Sequence, residues 1–432
     1  MTPVYQAIGV LVLGAVVLLL VVGRISSQPR NAAIIGVPFV VVAAALGLQA
    51  PHPMSVAVVA LCVVGGVALL LAPVLEPAVP EHVAEAAALL LLGTAGAIGL
   101  AGATDLLQVV VGLETLALSA VTLVALGAGD RVLEAAFKYL VLGAISLAGL
   151  LFGLGLIILG TGALGFPSGQ QIAANPLALA GVVLVGMGLA FELALFPFHW
   201  GALDAYTAAA PSLAGFVMSA SKLAAAFALG RLVLSAGVEL AQILVWVGSL
   251  TIIWGTFGAL GQATDLRRML AYSAVTHAGF IGLALGSGGN GPTTAAFYAA
   301  VYGSMAMLVF AALAGQREPR VRELGPLRGM ALALGLFSLS GIPPTPGFWA
   351  KLAVLVVAWQ AAGPVPTLIA VAGGVFSVLY YLRPLPDLFA AVRGPAAAPG
   401  RPVLVPGLLV AAVGGVGLGL FPGLAWTLAR GG

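Results

Sequence analysis

The stretch Leu193-Ala194-Leu195-Phe196-Pro197-Phe198-His199-Trp200 interrupts a hydrophobic run that extends from residue 175 to 208. This run is too long for one straight membrane helix, and proline removes a backbone donor and clashes with the preceding turn. A second interruption, Ser338-Leu-Ser-Gly-Ile-Pro-Pro-Thr-Pro-Gly347, divides the run 327–361 in the same way. We therefore predict two broken helices, whose unpaired carbonyls at membrane depth need a polar cavity.

The hydropathy pattern around the breaks predicts about 14 transmembrane helices. The predicted spans lie near 4–23, 32–49, 54–76, 86–104, 106–127, 133–161, 175–208, 212–235, 240–261, 266–288, 293–315, 327–361, 366–388 and 403–429. The breaks fall in the seventh and twelfth spans, five spans apart, which indicates two repeats of five helices, spans 4–8 and 9–13. Because five is odd, the second copy must be inverted, and paired broken helices in inverted repeats are typical of transporters.

The predicted fold is therefore an all-α polytopic membrane protein. Its domains are three N-terminal transmembrane helices (1–85), a first inverted repeat with a break near 197 (86–235), a second with a break near 343 (240–388), and a C-terminal loop and last helix (389–432). With 61% hydrophobic and only 7% charged residues, the chain could not cover a water-soluble surface. The segment Val4–Gly23 lacks a basic start and a cleavage pattern, so we expect it to be retained as the first helix.

The composition also excludes several functions. The single cysteine, Cys62, cannot form an intrachain disulfide, an iron–sulfur cluster or a CxxC metal site. We expect no cofactor and no metal in this chain, so any redox chemistry belongs to another chain. The net charge of +3 and the scattered arginines argue against a nucleic-acid partner.

The arginines predict the orientation of the chain in the membrane. Assigned to alternate loops, two arginines (Arg231 and Arg430) fall on one side and twelve on the other, namely Arg24, Arg30, Arg131, Arg267, Arg268, Arg317, Arg320, Arg322, Arg328, Arg383, Arg393 and Arg401. The positive-inside rule places both termini on the outer side of a bacterial cytoplasmic membrane. The densest loop, residues 316–328, is either a solvated connection or a docking surface for a partner subunit.

The lysines are distributed differently from the arginines. All three, Lys138, Lys222 and Lys351, lie inside hydrophobic spans, whereas every arginine lies at a span end or in a loop. Arginine stays charged in proteins, but a lysine in a low-dielectric site can lose its proton near neutral pH. Such residues cost about 2.5 to 3.5 kcal/mol at the membrane centre and need partners or water. This pattern predicts proton exchange within the bilayer.

Two acids and two histidines complete the set of candidates. Glu114 and Glu192 have apolar neighbours on both sides, and Glu192 lies one turn before Pro197. His277 follows a polar stripe and titrates near neutrality when unperturbed. It is either a proton carrier or a structural histidine. His199 either orients the first break through hydrogen bonds or carries protons.

Four segments resemble the antiporter-like subunits of respiratory complex I, especially the N subunit. They are the run from Leu193 to Trp200 with Asp204-Ala-Tyr206, Ala209-Ala-Pro211 and Ala220-Ser-Lys222; the helix Asp265–Phe280; the run Phe137–Gly143; and the second break through Lys351. These are similar to the family's PFHxWxPDVYxGxPxP…SK, xxxKRLLAYSSIxHxGY, ALKYFLLG and SLxGIPPxxGFxxK patterns. The match covers residues 86–388 in order, whereas the first three spans and the last carry no matching motif.

The resemblance implies a proton-translocating subunit in the membrane arm of an NADH:quinone oxidoreductase. Glu114 matches the family's glutamate of the fifth helix, and Lys138, Lys222 and Lys351 match the lysines of the sixth, eighth and broken twelfth helices. In the family these residues form a hydrated polar axis driven by quinone reduction in neighbouring subunits. Glu192 stands where the family usually has lysine, so two carboxylates would face each other unless Lys138 or Lys222 neutralises them.

The resemblance also implies the partners of this chain. These would be other membrane-arm subunits, including further antiporter-like ones, with membrane lipid around them, while NADH, FMN, iron–sulfur clusters and quinone would bind to partner subunits. The chain would then belong to an enzyme as a translocating subunit without redox groups of its own. Two alternatives stay open at this point: a subunit of an Mrp-type cation/proton antiporter, or a structural membrane-arm subunit that does not pump.

Overall fold

The computed structural model describes residues 2–25, 29–51, 53–76, 79, 82–127, 129–316, 318–393, 405 and 407–413. These residues form seventeen numbered α-helices and one 3-10 helix, Val321–Glu323, and no β-strand. The α-helices are α1 (Thr2–Ile25), α2 (Pro29–Gly47), α3 (Met54–Leu75), α4 (Val83–Gly102), α5 (Leu106–Ala125), α6 (Asp130–Thr161), α7 (Gly169–Ala174), α8 (Pro176–Leu193), α9 (Trp200–Ala208), α10 (Pro211–Ala236), α11 (Val238–Gly261), α12 (Leu266–Gly286), α13 (Gly291–Leu313), α14 (Gly325–Ser340), α15 (Pro346–Ala361), α16 (Pro364–Tyr381) and α17 (Leu385–Arg393).

The all-α polytopic membrane fold predicted from the sequence is confirmed. Twelve of the described helices are long and apolar enough to cross a membrane. The predicted seventh span is divided into α8 and α9, and the twelfth into α14 and α15, so both predicted breaks exist. The half-helices α14 and α15 have 16 residues each, fewer than a span needs. The predicted span 403–429 lies mostly outside the described residues.

The two helix breaks have the same geometry. Each first half-helix ends at a residue in the left-handed conformation, Ala194 (φ 62°) or Gly341 (φ 84°). The next residue closes a wider turn, because Leu195 N donates to Ala190 O at 2.9 Å and Ile342 N donates to Phe337 O at 3.2 Å. Two residues further along, each break contains a cis peptide bond to a proline, Pro197 in the first break and Pro344 in the second.

Further along both breaks, equivalent turns lead into the second half-helices. Phe198 N donates to Leu195 O at 2.7 Å, and Thr345 N donates to Ile342 O at 3.0 Å. The matched pattern agrees with two five-helix repeats, α4 to α10 and α11 to α16. The residue limits of the four predicted domains stay a prediction.

Three helices form the centre of the bundle. α10, α12 and α13 are buried along nearly their whole length, whereas α1, α2 and α6 expose long rows of apolar side chains, as lipid-facing helices do. α10 packs on α13, α11 on α12, and α6 on α8. We call the end of the bundle where α3 and α9 finish and α10 and α12 begin the arginine-rich end, because Arg131, Arg267 and Arg268 line a cavity there.

Candidate functional site: a buried row of ionisable side chains

Lys222 lies at the centre of the bundle, in the middle of α10, and its side chain is fully buried. Its Nζ donates to the hydroxyl of Tyr206 at 3.3 Å and lies 4.8 Å from the centre of that ring. It also lies 5.9 Å from the centre of the Tyr302 ring. The lysine therefore depends on one hydroxyl and two aromatic faces, an environment in which an ammonium group is only partly compensated.

Glu192 approaches Lys222 from the last turn of α8, just before the first break. It is buried, and its Oε1 has no hydrogen-bond partner among the described residues. Lys222 and Glu114 both lie within electrostatic range of this carboxylate. The predicted meeting of two carboxylates with a lysine is therefore present, and Lys222 is the lysine beside Glu192. Glu114 itself is only partly buried, on α5.

His277 joins three helices through both ring nitrogens. Nδ1 lies 2.7 Å from the hydroxyl of Tyr298 on α13, and Nε2 lies 3.1 Å from the hydroxyl of Tyr381 on α16. A neutral imidazole has one donor and one acceptor nitrogen, so one tyrosine accepts from the ring and the other donates to it. The ring also lies 4.8 Å from the ring of Tyr302. His277 is thus hydrogen-bonded on both sides and can pass a proton by exchanging its tautomer.

Lys351 lies in the second half of the twelfth span, and its ammonium group donates a hydrogen bond to a main-chain carbonyl at the break. Its Nζ donates to the carbonyl of Ser340, the last residue of α14, at 2.7 Å and to Ser377 Oγ at 3.0 Å. The carbonyl is one of the groups that a helix end leaves unpaired. Gly341 makes room for this contact, because a Cβ there would lie 2.9 Å from Lys351 Cδ.

Lys138 lies apart from the other lysines. Its side chain is 49% exposed, and its Nζ pairs with Glu134 at 2.6 Å and Asp204 at 3.6 Å. Asp204 also pairs with Arg268 at 2.6 Å. This ion-pair cluster lines a 460 Å³ cavity at the arginine-rich end. The structure thus places Lys138 half-exposed in the lining of this cavity rather than in the row formed by Glu192, Lys222, His277 and Lys351.

His199 is buried at the first break, beside Pro197. Neither ring nitrogen has a hydrogen-bond partner within the described part of the chain, so the expected role of orienting the break through hydrogen bonds finds no support in the contacts. Its ring stacks on Trp200 with centroids 4.8 Å apart and meets Trp254 edge-on at 5.8 Å. Pro343 and Pro344 form the corresponding turn of the second break.

Five buried tyrosines, none of them among the proton-carrying residues predicted from the sequence, complete the row. They are Tyr206, Tyr298, Tyr302, Tyr380 and Tyr381. Tyr302 stands between Lys222 and His277, and its hydroxyl has no partner among the residues described. Tyr298 and Tyr302 are four residues apart and therefore share one face of α13. This spacing is the feature of the sequence that could have indicated a polar face on that helix. No group of three or more potential metal-binding side chains occurs in the described ranges.

The fold and this buried row define a class of protein: a polytopic membrane protein with paired broken helices and ionisable side chains held between them, as in ion transporters. The chain belongs to the NADH:quinone oxidoreductase/Mrp antiporter transmembrane family, whose model matches residues 103–377. The resemblance noted in the sequence is thereby confirmed.

Individual relatives extend the match to most of the chain. The NADH-quinone oxidoreductase subunit N of Cereibacter sphaeroides is 36% identical over 410 residues, covering 89% of this chain and 88% of that protein. The subunit N of Deinococcus radiodurans is 35% identical over 368 residues, covering 79% and 74%. A chain in the structure of respiratory complex I from Thermus thermophilus with bound aureothin has a TM-score of 0.84 and 27% identity, covering 99% of this chain and 100% of that one.

Proposed function

We propose that this chain is a proton-translocating, antiporter-like subunit in the membrane arm of an NADH:quinone oxidoreductase-type assembly. The observation that supports this most is the position of His277, which has both Lys222 and Lys351 within electrostatic range. Glu192 extends the row beyond Lys222. The row thus crosses from the first repeat to the second through the centre of the bundle, and every member can bind and release a proton.

The chemistry of the row favours proton transfer over a purely structural role. Glu192 Oε1 and the Tyr302 hydroxyl are buried and have no hydrogen-bond partner among the described residues. Each group would cost about 1–3 kcal/mol if it stayed unpaired. Internal water would satisfy both groups and would link Lys222 to His277. The proton then passes from one side chain to the next without a metal or a redox group in this chain.

The rest of the assembly would supply the driving force for proton transfer and the subunits that contact this chain. NADH, FMN, iron–sulfur clusters and quinone would bind to partner subunits, and quinone reduction there would shift charge at the end of the row. Within the enzyme complex, this chain is a subunit that translocates protons. Its neighbours would be other membrane-arm subunits, including further antiporter-like ones, in a bacterial cytoplasmic membrane, with the arginine-rich end on the cytoplasmic side and both termini outside.

The predicted site residues divide into three roles under this proposal. Glu192, Lys222, His277 and Lys351 carry protons along the row. Glu114, partly buried on α5, exchanges a proton with Glu192, which lies within electrostatic range. Lys138 acts in the lining of the cavity at the arginine-rich end, where its ion pairs with Glu134 and Asp204 shape the entrance for protons.

Vesicles that contain the purified assembly test the proposal directly. In Lys351→Ala vesicles we expect proton pumping, read by an internal pH dye, to be lost while electron transfer continues undiminished. Arg322→Gln, which removes an exposed ion pair with Asp387, is the matched control and should pump normally. Fully normal pumping in the Lys222→Ala, Lys351→Ala double variant would refute the proposal.

The composition of the same preparation separates the Mrp-type alternative. Flavin or iron–sulfur subunits that co-purify with the chain support the oxidoreductase assembly. Their absence, together with sodium-dependent proton exchange in vesicles, would support an antiporter instead.

A further inference from the structure

Glu76 is a buried carboxylate that the proposed proton row does not use. It follows the last residue of α3, is only 1% exposed, and accepts three hydrogen bonds. Ser212 donates its backbone N–H at 2.8 Å and its hydroxyl at 2.7 Å to Oε1, and Gly315 donates its N–H at 3.2 Å to Oε2. One side chain thus holds the start of α10 and the loop after α13, which are 136 and 239 residues away in the chain.

Two arginines bind main-chain carbonyls close to the N–H groups that Glu76 accepts from. Arg328 donates to the carbonyl of Ala314, which belongs to the same peptide group as the Gly315 N–H bound by Glu76. That peptide dipole therefore lies between a cation at its oxygen and an anion at its N–H, the favourable orientation. Arg267 likewise donates to the carbonyl of Ala209, three residues before Ser212. Glu76 lies within electrostatic range of both arginines.

The charge of Glu76 depends on these contacts. Burial raises the pKa of the Glu76 carboxyl, whereas the hydrogen bonds from Ser212 and Gly315 and the charge of Arg267 oppose that rise. Loss of any one donor would leave a buried charge less compensated, which is costly in a low-dielectric interior.

Gly315 shows how closely this loop approaches the end of α3. Its φ of +80° is in the left-handed region, and a Cβ there would lie 2.8 Å from the carbonyl oxygen of Leu75. No side chain fits between the two backbones. The loop after α13 therefore lies directly against the last turn of α3.

The two segments that Glu76 holds both lead to the proton row. Ser212 lies in the first turn of the helix that carries Lys222, which is ten residues or about 15 Å further along. The other segment ends α13, the helix that carries Tyr302. The two helices are also joined midway, where Ser219 Oγ donates to Gly303 O at 3.0 Å.

We propose that Glu76 is a positioning residue that fixes α10 against α13, and so holds Lys222 opposite Tyr302, with the first three helices acting as the clamp from which it reaches. This inference rests on the proposed proton-translocating function. It gives a role to helices that carry none of the family's motifs. Glu76 itself carries no proton along the row.

A charge-compensation cycle in vesicles of the whole assembly tests this role. Glu76→Gln and Arg267→Gln should each lower the number of protons pumped per electron roughly tenfold, because each leaves a buried charge less compensated and misplaces Lys222. The double variant removes both charges and should recover pumping to within about threefold of the unmodified chain. Glu239→Gln, an exposed carboxylate in the first turn of α11, is the control and should be unchanged.

Recovery in the double variant distinguishes this role from general damage, which two substitutions would only deepen. A double variant that pumps no better than the weaker single variant would overturn the inference, as would a normal proton-to-electron ratio in Glu76→Gln. If these variants fail to assemble, Gly315→Ala tests the same contact with both charges retained. It should reduce pumping well beyond Gly162→Ala, which has φ +73° and open space around a Cβ, and equal effects would overturn the inference.

The outcomes also separate this inference from the function on which it rests. If the Lys222→Ala, Lys351→Ala chain still pumps normally, the proposed function fails. If that chain loses pumping but Glu76→Gln retains it, only the positioning role fails.

Discussion

Gly341→Ala offers a sharp test of how the second break holds Lys351. An alanine Cβ at this position would lie 2.9 Å from Lys351 Cδ and 3.4 Å from its Nζ. Ordinary contacts between carbon atoms are about 3.5 to 4.0 Å, so the lysine stem must move by roughly 1 Å. We expect this shift to weaken or break one of the two bonds that its Nζ makes, the 2.7 Å bond to the Ser340 carbonyl or the 3.0 Å bond to Ser377.

The expected size of the effect follows from the lost bond. A hydrogen bond to a charged group contributes about 1.5–3 kcal/mol, so the population of correctly placed Lys351 should fall roughly tenfold to a hundredfold. The substitution also forces alanine into φ +84°, which costs roughly 1–2 kcal/mol of conformational energy on its own. These two contributions must be separated before the result can be interpreted.

Gly162→Ala separates them, because Gly162 also follows a helix in the left-handed conformation (φ +73°, ψ +9°, against +84° and +35° at Gly341), but a Cβ there would meet nothing within 4 Å. Both variants should lower the thermal stability of the assembly by a similar amount. Only Gly341→Ala should reduce proton pumping relative to electron transfer, by about tenfold or more. If the two variants pump equally well, the lysine does not depend on the break and our account of this site is wrong.

Three further substitutions test other parts of the row. Tyr381→Phe removes the hydroxyl bound to His277 Nε2, and the unpaired nitrogen should slow pumping by about tenfold in the vesicle assay, with normal rates contradicting a relay through the histidine. Glu192→Gln keeps the shape of the side chain but removes the charge beside Lys222, so pumping should fall while the amount of assembled complex, measured on native gels, stays within about twofold. Asp204→Asn breaks two partly exposed ion pairs, which should cost at most about 1 kcal/mol, and a melting temperature lowered by more than a few degrees would argue against this assignment.

The breaks and the buried lysines were accessible from the sequence because each violates a strong local rule. Proline inside a hydrophobic run and lysine at membrane depth are both costly, so their presence indicates structure and function. The motif match then located Lys222 and Lys351 within α10 and α15. Hydropathy alone placed nearly every helix, since a membrane span has a narrow range of lengths.

The partners of these residues could not be predicted in the same way. Tyrosine is common in ordinary apolar helices, so Tyr298 and Tyr381 look like packing residues until α13 and α16 are brought to His277. Lys138 shows the opposite difficulty. Its span is as hydrophobic as the others, but α6 is 32 residues long and Lys138 lies only two turns from its start. Its depth depends on the length of that helix, which local pattern does not reveal.

The acceptor for Lys351 is a main-chain oxygen, and this has a consequence for how the protein can evolve. Substitution at position 340 changes the side chain and leaves the carbonyl in place, so no point mutation deletes the lysine's strongest contact. Selection on that contact acts on the residues that shape the turn, above all Gly341, and not on the residue that supplies the oxygen. Comparison of lineages should therefore show side-chain changes at position 340, within the limits of a buried site, without loss of the contact to Lys351.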